Sequence, residues 1–266
     1  MRGEHDEASA APDSVSRHPD VFLLVAHGSR HPAANEGVRE VSRVLQGLIE
    51  KPVETAFIEL EPPGVTEALV SLAESGRKRV VLLPLLLTAA KHVLEDIPEF
   101  VSAATRRYPD LEVTITPHIG VRKFFFDLLE QRVREAEEKS KNKKTRRSSR
   151  KNTVLVFLGA GSRHKKANAQ VRRVAKEFSE RAGFVRVEVG FIDVAFPRTR
   201  EALRTAASFS PQRVIAVPFL LFPGALAGKV RAEVEEMRKE EPEIEFLCAE
   251  PFGRPSFLAE TLARYL

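Results

Sequence analysis

One cysteine, Cys248, stands in a chain of 266 residues, and there is no tryptophan. A lone thiol excludes an intramolecular disulfide framework, a thiolate zinc site and an iron–sulfur cluster held by the chain's own cysteines. Long apolar runs are missing too. The longest, Val80 to Ala90, falls well short of the ~20 residues that a membrane-spanning helix needs. The first twenty residues carry acids and no apolar segment, so they do not read as a secretory signal and are expected to form a disordered tail, 1–20. No Gly-Lys-Ser/Thr phosphate loop occurs, and Gly159-x-Gly161 lacks the third glycine of a dinucleotide fingerprint. These absences point to a cytoplasmic protein with no membrane partner and no redox or organic cofactor.

Acidic residues are absent from one stretch, and that stretch carries the whole positive balance. The segment from Lys139 to Lys151 holds eight Lys/Arg, so removing it takes the formal charge from +5 to −3. The basicity is therefore local, and 139–152 reads as a solvated linker rather than a nucleic-acid surface.

What the chain does contain is a duplication. Gly28, Ser29, Arg30, His31, Ala34 and Asn35 recur as Gly161, Ser162, Arg163, His164, Ala167 and Asn168, 133 positions later. Phe57-Ile58-Glu59 and Pro84 recur as Phe191-Ile192-Asp193 and Pro218 at an offset of 134. Short apolar runs at 21–26, 53–58, 79–87 and 111–116 suit strands buried on both faces of a parallel sheet. Segments with helical apolar spacing lie between them at 33–50, 64–76 and 93–107, and the second copy repeats the order, with strands near 153–158, 185–191, 213–221 and 244–249. The pattern implies two tandem α/β domains of Rossmann or flavodoxin-like type, each a parallel four-stranded sheet flanked by helices. They would span 21–138 and 153–266.

Ligands of such sheets bind beyond the carboxyl ends of the strands. His27 follows the first strand, Glu59 the second, and His92 lies just past the third. Two imidazoles and a carboxylate at three strand ends suit Fe(II), Co(II), Ni(II) or Zn(II) and leave room for a substrate's donors. In the second copy His27 is answered by Ala160, His92 by Leu226 and Glu59 by Asp193, which places one metal site in the first domain. His31 and His164 recur in both copies and fit a structural role. His118, after the fourth strand, is a further residue within reach of the cleft, and Phe124-Phe125-Phe126 fits a buried core.

Three blocks, His27-Gly28-Ser29-Arg30, Phe57-Ile58-Glu59-Leu60, and Pro84 to Pro98 ending His-x-x-x-Asp-Ile-Pro, resemble the sirohydrochlorin chelatase family, whose class II members insert cobalt or iron into sirohydrochlorin. The resemblance covers nearly the whole chain, because the family includes long forms of two such domains. It implies that His27 and His92 bind the metal with Glu59 assisting, and that the metal is a substrate, cobalt ahead of iron. Ala90 departs from the pattern, since the family usually has glycine there, as the second copy does at Gly224. Sirohydrochlorin carries eight carboxylates, so Arg30, Lys91 and Arg163 are candidate partners for it, as are the backbone amides of Gly28 and Ser29. Asp96 stands four residues after His92 and can orient its imidazole or stabilise the helix that follows. The protein is expected to be a monomer or homodimer, and a non-catalytic metal or tetrapyrrole carrier is the rival from another class.

Overall fold

A computed structural model describes residues 19–88, 92–119, 124–140, 150–264 and 266. The first copy runs β1 (Val21–Ala26), α1 (Pro32–Ile49), β2 (Val53–Phe57), α2 (Val65–Glu74), β3 (Arg79–Pro84), α3 (Ile97–Arg107), β4 (Glu112–Ile115) and α4 (Phe124–Glu138). The second repeats it as β5 (Thr153–Gly159), α5 (Lys165–Ala182), β6 (Arg186–Phe191), α6 (Thr199–Ala207), β7 (Arg213–Phe219), α7 (Ala225–Glu240), β8 (Glu245–Cys248) and α8 (Pro255–Ala263). Each copy forms one four-stranded sheet, ordered β2-β1-β3-β4 and β6-β5-β7-β8. All pairings are parallel. β1 and β5 lie inside their sheets and are buried along their whole length, as their unbroken apolar runs require. Alternate residues feed opposite faces: Val21, Leu23 and Val25 join one core cluster, and Phe22, Leu24 and Ala26 join another.

The second of those clusters does not respect the repeat, because it contains residues of both copies. α8 packs along α1 of the first copy, while α4 lies against β7, β8 and α5 of the second. Each copy thus lends its last helix to the other. Phe125, on α4, sits edge-on to Phe219 and Phe252, with ring centroids 5.5 Å and 4.5 Å away. Phe126 stacks near Phe178, so both are core residues. This exchange joins the domains through packed apolar surface, with the carboxyl ends of both sheets facing a common cleft.

Three local features differ from the pattern read in the sequence. β3 ends at Pro84, although Leu85 and Leu86 remain buried. The helical stretch after it is divided: a single π-helical turn, His92–Asp96, precedes α3. Pro98 explains the division, since its ring would press on the carbonyl of Leu94 in a continuous α-helix. The basic linker is pinned at both ends. Arg150 donates to Glu130 at 2.8 and 3.0 Å and to the Ala182 carbonyl at 2.8 Å, and Lys139 pairs with Glu250. Arg150 and Lys139 are therefore ion-pair partners, and 141–149 lies outside the described residues. So does 1–18, whereas Asp20, at the end of the presumed tail, accepts from the amides of Lys78 and Arg79 at 3.0 Å each. Among the described residues, no helix is long and apolar enough to cross a membrane.

Because Phe125 is 1% exposed and bridges the copies, Phe125→Ala should cost roughly 3–5 kcal/mol. Urea denaturation should show this as one cooperative transition at a lower midpoint, both halves unfolding together.

Candidate metal centre

The site begins with a backbone clamp. The strand-end hydrogen bonds continue past β1 and β2: the amide of Ile58 donates to the Ala26 carbonyl at 2.9 Å and that of Glu59 to the His27 carbonyl at 3.0 Å. The chain then turns at Gly28, with φ +90°. A Cβ there would lie 1.8 Å from the Glu59 carbonyl oxygen, so only glycine allows this approach. Gly161 repeats the arrangement, with φ +94° and a Cβ position 1.8 Å from the Asp193 carbonyl oxygen. The other recurring residues hold the turn. Asn35 donates to the Ser29 carbonyl at 2.7 Å and to Glu61 at 2.8 Å, and the Ser29 hydroxyl accepts the His31 amide at 3.0 Å. Asn168, Ser162 and His164 repeat the bonds to the serine hydroxyl and carbonyl, so Ser29, Asn35 and the His31 backbone amide hold the turn.

On this frame His27 Nε2 stands 3.5 Å from Glu59 Oε1. The π turn brings His92 over from β3, its ring perpendicular to that of His27 with centroids 4.6 Å apart. One ligand atom each from His27, Glu59 and His92 lies within 4.8 Å of the others. Among the described residues, this is the group of three or more His, Cys, Asp or Glu side chains able to share a metal ion. His92 Nδ1 lies 2.6 Å from Asp96 Oδ2, and His27 Nδ1 lies 3.2 Å from the Gly28 carbonyl. Both partners are hydrogen-bond acceptors, so a neutral imidazole that donates to them through Nδ1–H would turn its Nε2 lone pair toward a metal. The His27 and Glu59 side chains are 46% and 49% exposed, against 27% for His92 and 16% for Asp96. One wall of the triad is therefore anchored in protein, and the opposite face is open to solvent and to incoming ligands.

The cleft beside the triad has a volume of about 440 Å³ and is lined from both copies, by His27 to His31 and Leu85 to Thr88 on one side and by Ala160 to Ser162 and Phe222 to Ala227 on the other. Gly28, Ser29 and Arg30 lie on this wall. Arg163 is exposed next to it, and Lys91 and Ala90 lie outside the described residues. His118 is 7% exposed and bonds the Leu86 carbonyl, so it supports the loop beneath the site from within the core.

The family model for CbiX matches residues 21–136 and again 154–266. The chain belongs to the CbiX family. The twofold match restates the duplication and leaves out the whole of the basic segment. Among its relatives, the sirohydrochlorin ferrochelatase of Priestia megaterium is 28% identical over 245 residues, covering 92% of this chain and 88% of that protein. The sirohydrochlorin cobaltochelatase of the same organism is 27% identical over 233 residues, covering 87% and 74%. In structure, SirB from Bacillus subtilis with Fe3+ superposes with a TM-score of 0.77 at 21% identity, over 93% of this chain and 94% of that one. The superposition shows that this CbiX chain shares the two-domain chelatase fold.

The matched clamps make a symmetrical forecast. Gly28→Ala and Gly161→Ala should each destabilise the protein, by about 1–3 kcal/mol, and by similar amounts in urea denaturation. Only Gly28→Ala should separate His27 from Glu59.

Proposed function

We propose that this CbiX chain inserts a divalent metal, Co(II) or Fe(II), into sirohydrochlorin, with His27, His92 and Glu59 as the residues that hold the metal. One observation carries the reading: three ligand atoms from three strand ends converge within 4.8 Å at a cleft between domains. Relatives named for iron and for cobalt stand at 28% and 27% identity, and two imidazoles with one carboxylate accept either metal.

The chemistry follows from the donors. Two neutral Nε2 atoms and the Glu59 carboxylate replace part of the metal's water shell, and the exposed face leaves coordination positions for pyrrole nitrogens. Insertion of M(II) into the free-base macrocycle releases two pyrrolic protons. As each metal–imidazole bond gives way to a metal–pyrrole bond, the freed Nε2 lone pair can accept a released proton. Glu59, 3.5 Å from His27, accepts or relays a proton and offsets the imidazolium charge. Asp96 acts on the reaction through His92, as a positioning residue: its hydrogen bond keeps the proton on Nδ1 and the lone pair on Nε2. The overall change needs no electron transfer.

Under anaerobic conditions the protein should accelerate Co(II) or Fe(II) insertion above the spontaneous rate, read from macrocycle absorbance. His27→Ala and His92→Ala should each reduce that acceleration about a hundredfold. Variants as fast as wild type would refute the site. A wild type that binds metal and gives no acceleration would instead establish a carrier. Asp96→Asn should weaken Co(II) binding about tenfold, measured by titration of the cobalt absorption bands without tetrapyrrole.

A further inference from the structure

The second copy has lost the imidazoles, and the residues around Asp193 have changed in a consistent direction. At an offset of 134, Glu59, Glu61, Gly64, Glu95 and Asp96 are answered by Asp193, Ala195, Arg198, Lys229 and Val230. Four carboxylates on the first rim are thus matched by one carboxylate and two cations on the second. The backbone confirms the pairing, since Gly64 and Arg198 make the same isolated bridges, to Phe57 and Phe191. Lys229 Nζ lies 3.6 Å from Asp193 Oδ2 and Arg198 Nη1 lies 3.4 Å from Asp193 Oδ1. An ammonium and a guanidinium therefore occupy the neighbourhood where the first copy gathers its metal ligands. Arg172 follows the same trend: it and its counterpart Arg39 lie over Phe191 and Phe57 alike, but Arg39 is paired with the Glu61 carboxylate whereas Arg172 donates to the Phe196 carbonyl.

Both ion pairs are long and exposed, so they contribute little and can yield to a stronger acceptor. Apolar surface lies beside them. Phe196 is 65% exposed under the Arg198 guanidinium, 4.6 Å from it, and Val194 is 49% exposed. Val194 holds φ +59°, a conformation that β-branched residues rarely adopt. The rim thus combines cations with exposed apolar side chains, and it flanks the cleft lined by Ala160 to Ser162 and Phe222 to Ala227.

We propose that this second rim, centred on Lys229 and Arg198, is a carboxylate-binding site that seats the acidic arms of the tetrapyrrole while the first rim presents the metal. The duplication has divided the work: one copy of the strand-end site binds the cation and the other binds the anion. The inference rests on the chelatase reading for the identity of the ligand.

The double variant Arg198→Gly with Lys229→Glu returns both positions to the first copy's residues. The backbone at 198 already matches that at Gly64, with φ, ψ of −73°, 166° against −69°, 159°. Its dissociation constant for metal-free sirohydrochlorin, and its KM for it, should rise at least about tenfold. Co(II) affinity without tetrapyrrole and the thermal midpoint should stay at wild-type values, and Lys229→Arg should retain binding. A double variant that binds the macrocycle as tightly as wild type would overturn the proposal, as would a parallel loss of Co(II) affinity. A wild type that binds the macrocycle through these residues without accelerating insertion would support this site and overturn the chelatase reading alone.

Discussion

The hydrogen bond from the Glu59 amide to the His27 carbonyl, 3.0 Å long, is the constraint on which the site depends. It forces two strand ends together so closely that residue 28 has no room for a side chain. The same contact sets an imidazole beside a carboxylate before any metal arrives. His92, the third residue of the proposed set, needs a different device, because β3 ends early at Pro84 and the chain must come back to the rim. A π turn supplies the return, Pro98 prevents that turn from joining the α-helix beyond it, and Asp96 fixes the ring that the turn delivers. The three side chains proposed to hold the metal are thereby carried on ordered elements, with their cleft-facing side open.

The helix exchange explains why the two copies act as one body. Had each copy kept its own last helix, the domains would meet only through a linker. Instead α4 and α8 carry apolar faces across, and Phe125, Phe219 and Phe252 form an aromatic knot between first-copy and second-copy residues. Gly37 on α1 completes the join, since a Cβ there would lie 2.7 Å from the Phe222 ring. With the domains fixed, the carboxyl ends of both sheets look onto one cleft. Duplication therefore provides two copies of the same strand-end geometry on opposite walls, free to diverge in charge.

The strands, and the convergence of His27, Glu59 and His92 on one rim, were legible in the sequence because they depend on local signals. Unbroken apolar runs mark strands buried on both faces; His27 and Glu59 directly follow such runs, and His92 lies just past a third. The helix exchange was not legible: the apolar stripe of α4 shows that Leu128, Leu129 and Val133 are buried but not against which sheet. His118 showed the same limit, since its position after β4 is compatible with the cleft, and only the fold turns it inward to Leu86. The basic segment looked like solvated charge because composition ignores partners; Arg150 lies between Glu130 and Glu137. The cations of the second rim left a trace that repeat alignment exposes, Glu95 against Lys229 and Gly64 against Arg198, though both look like ordinary surface substitutions until Asp193 is placed between them.

The central claim is that metal is taken up by the first copy's strand ends and excluded from the second's. The most direct test is an anomalous difference map from crystals grown with Co(II) near the cobalt edge. One strong peak should stand among His27 Nε2, His92 Nε2 and the Glu59 carboxylate, at distances of about 2.0–2.2 Å, with none beside Asp193. A peak at Asp193, or cobalt bound elsewhere with the triad empty, would contradict the account.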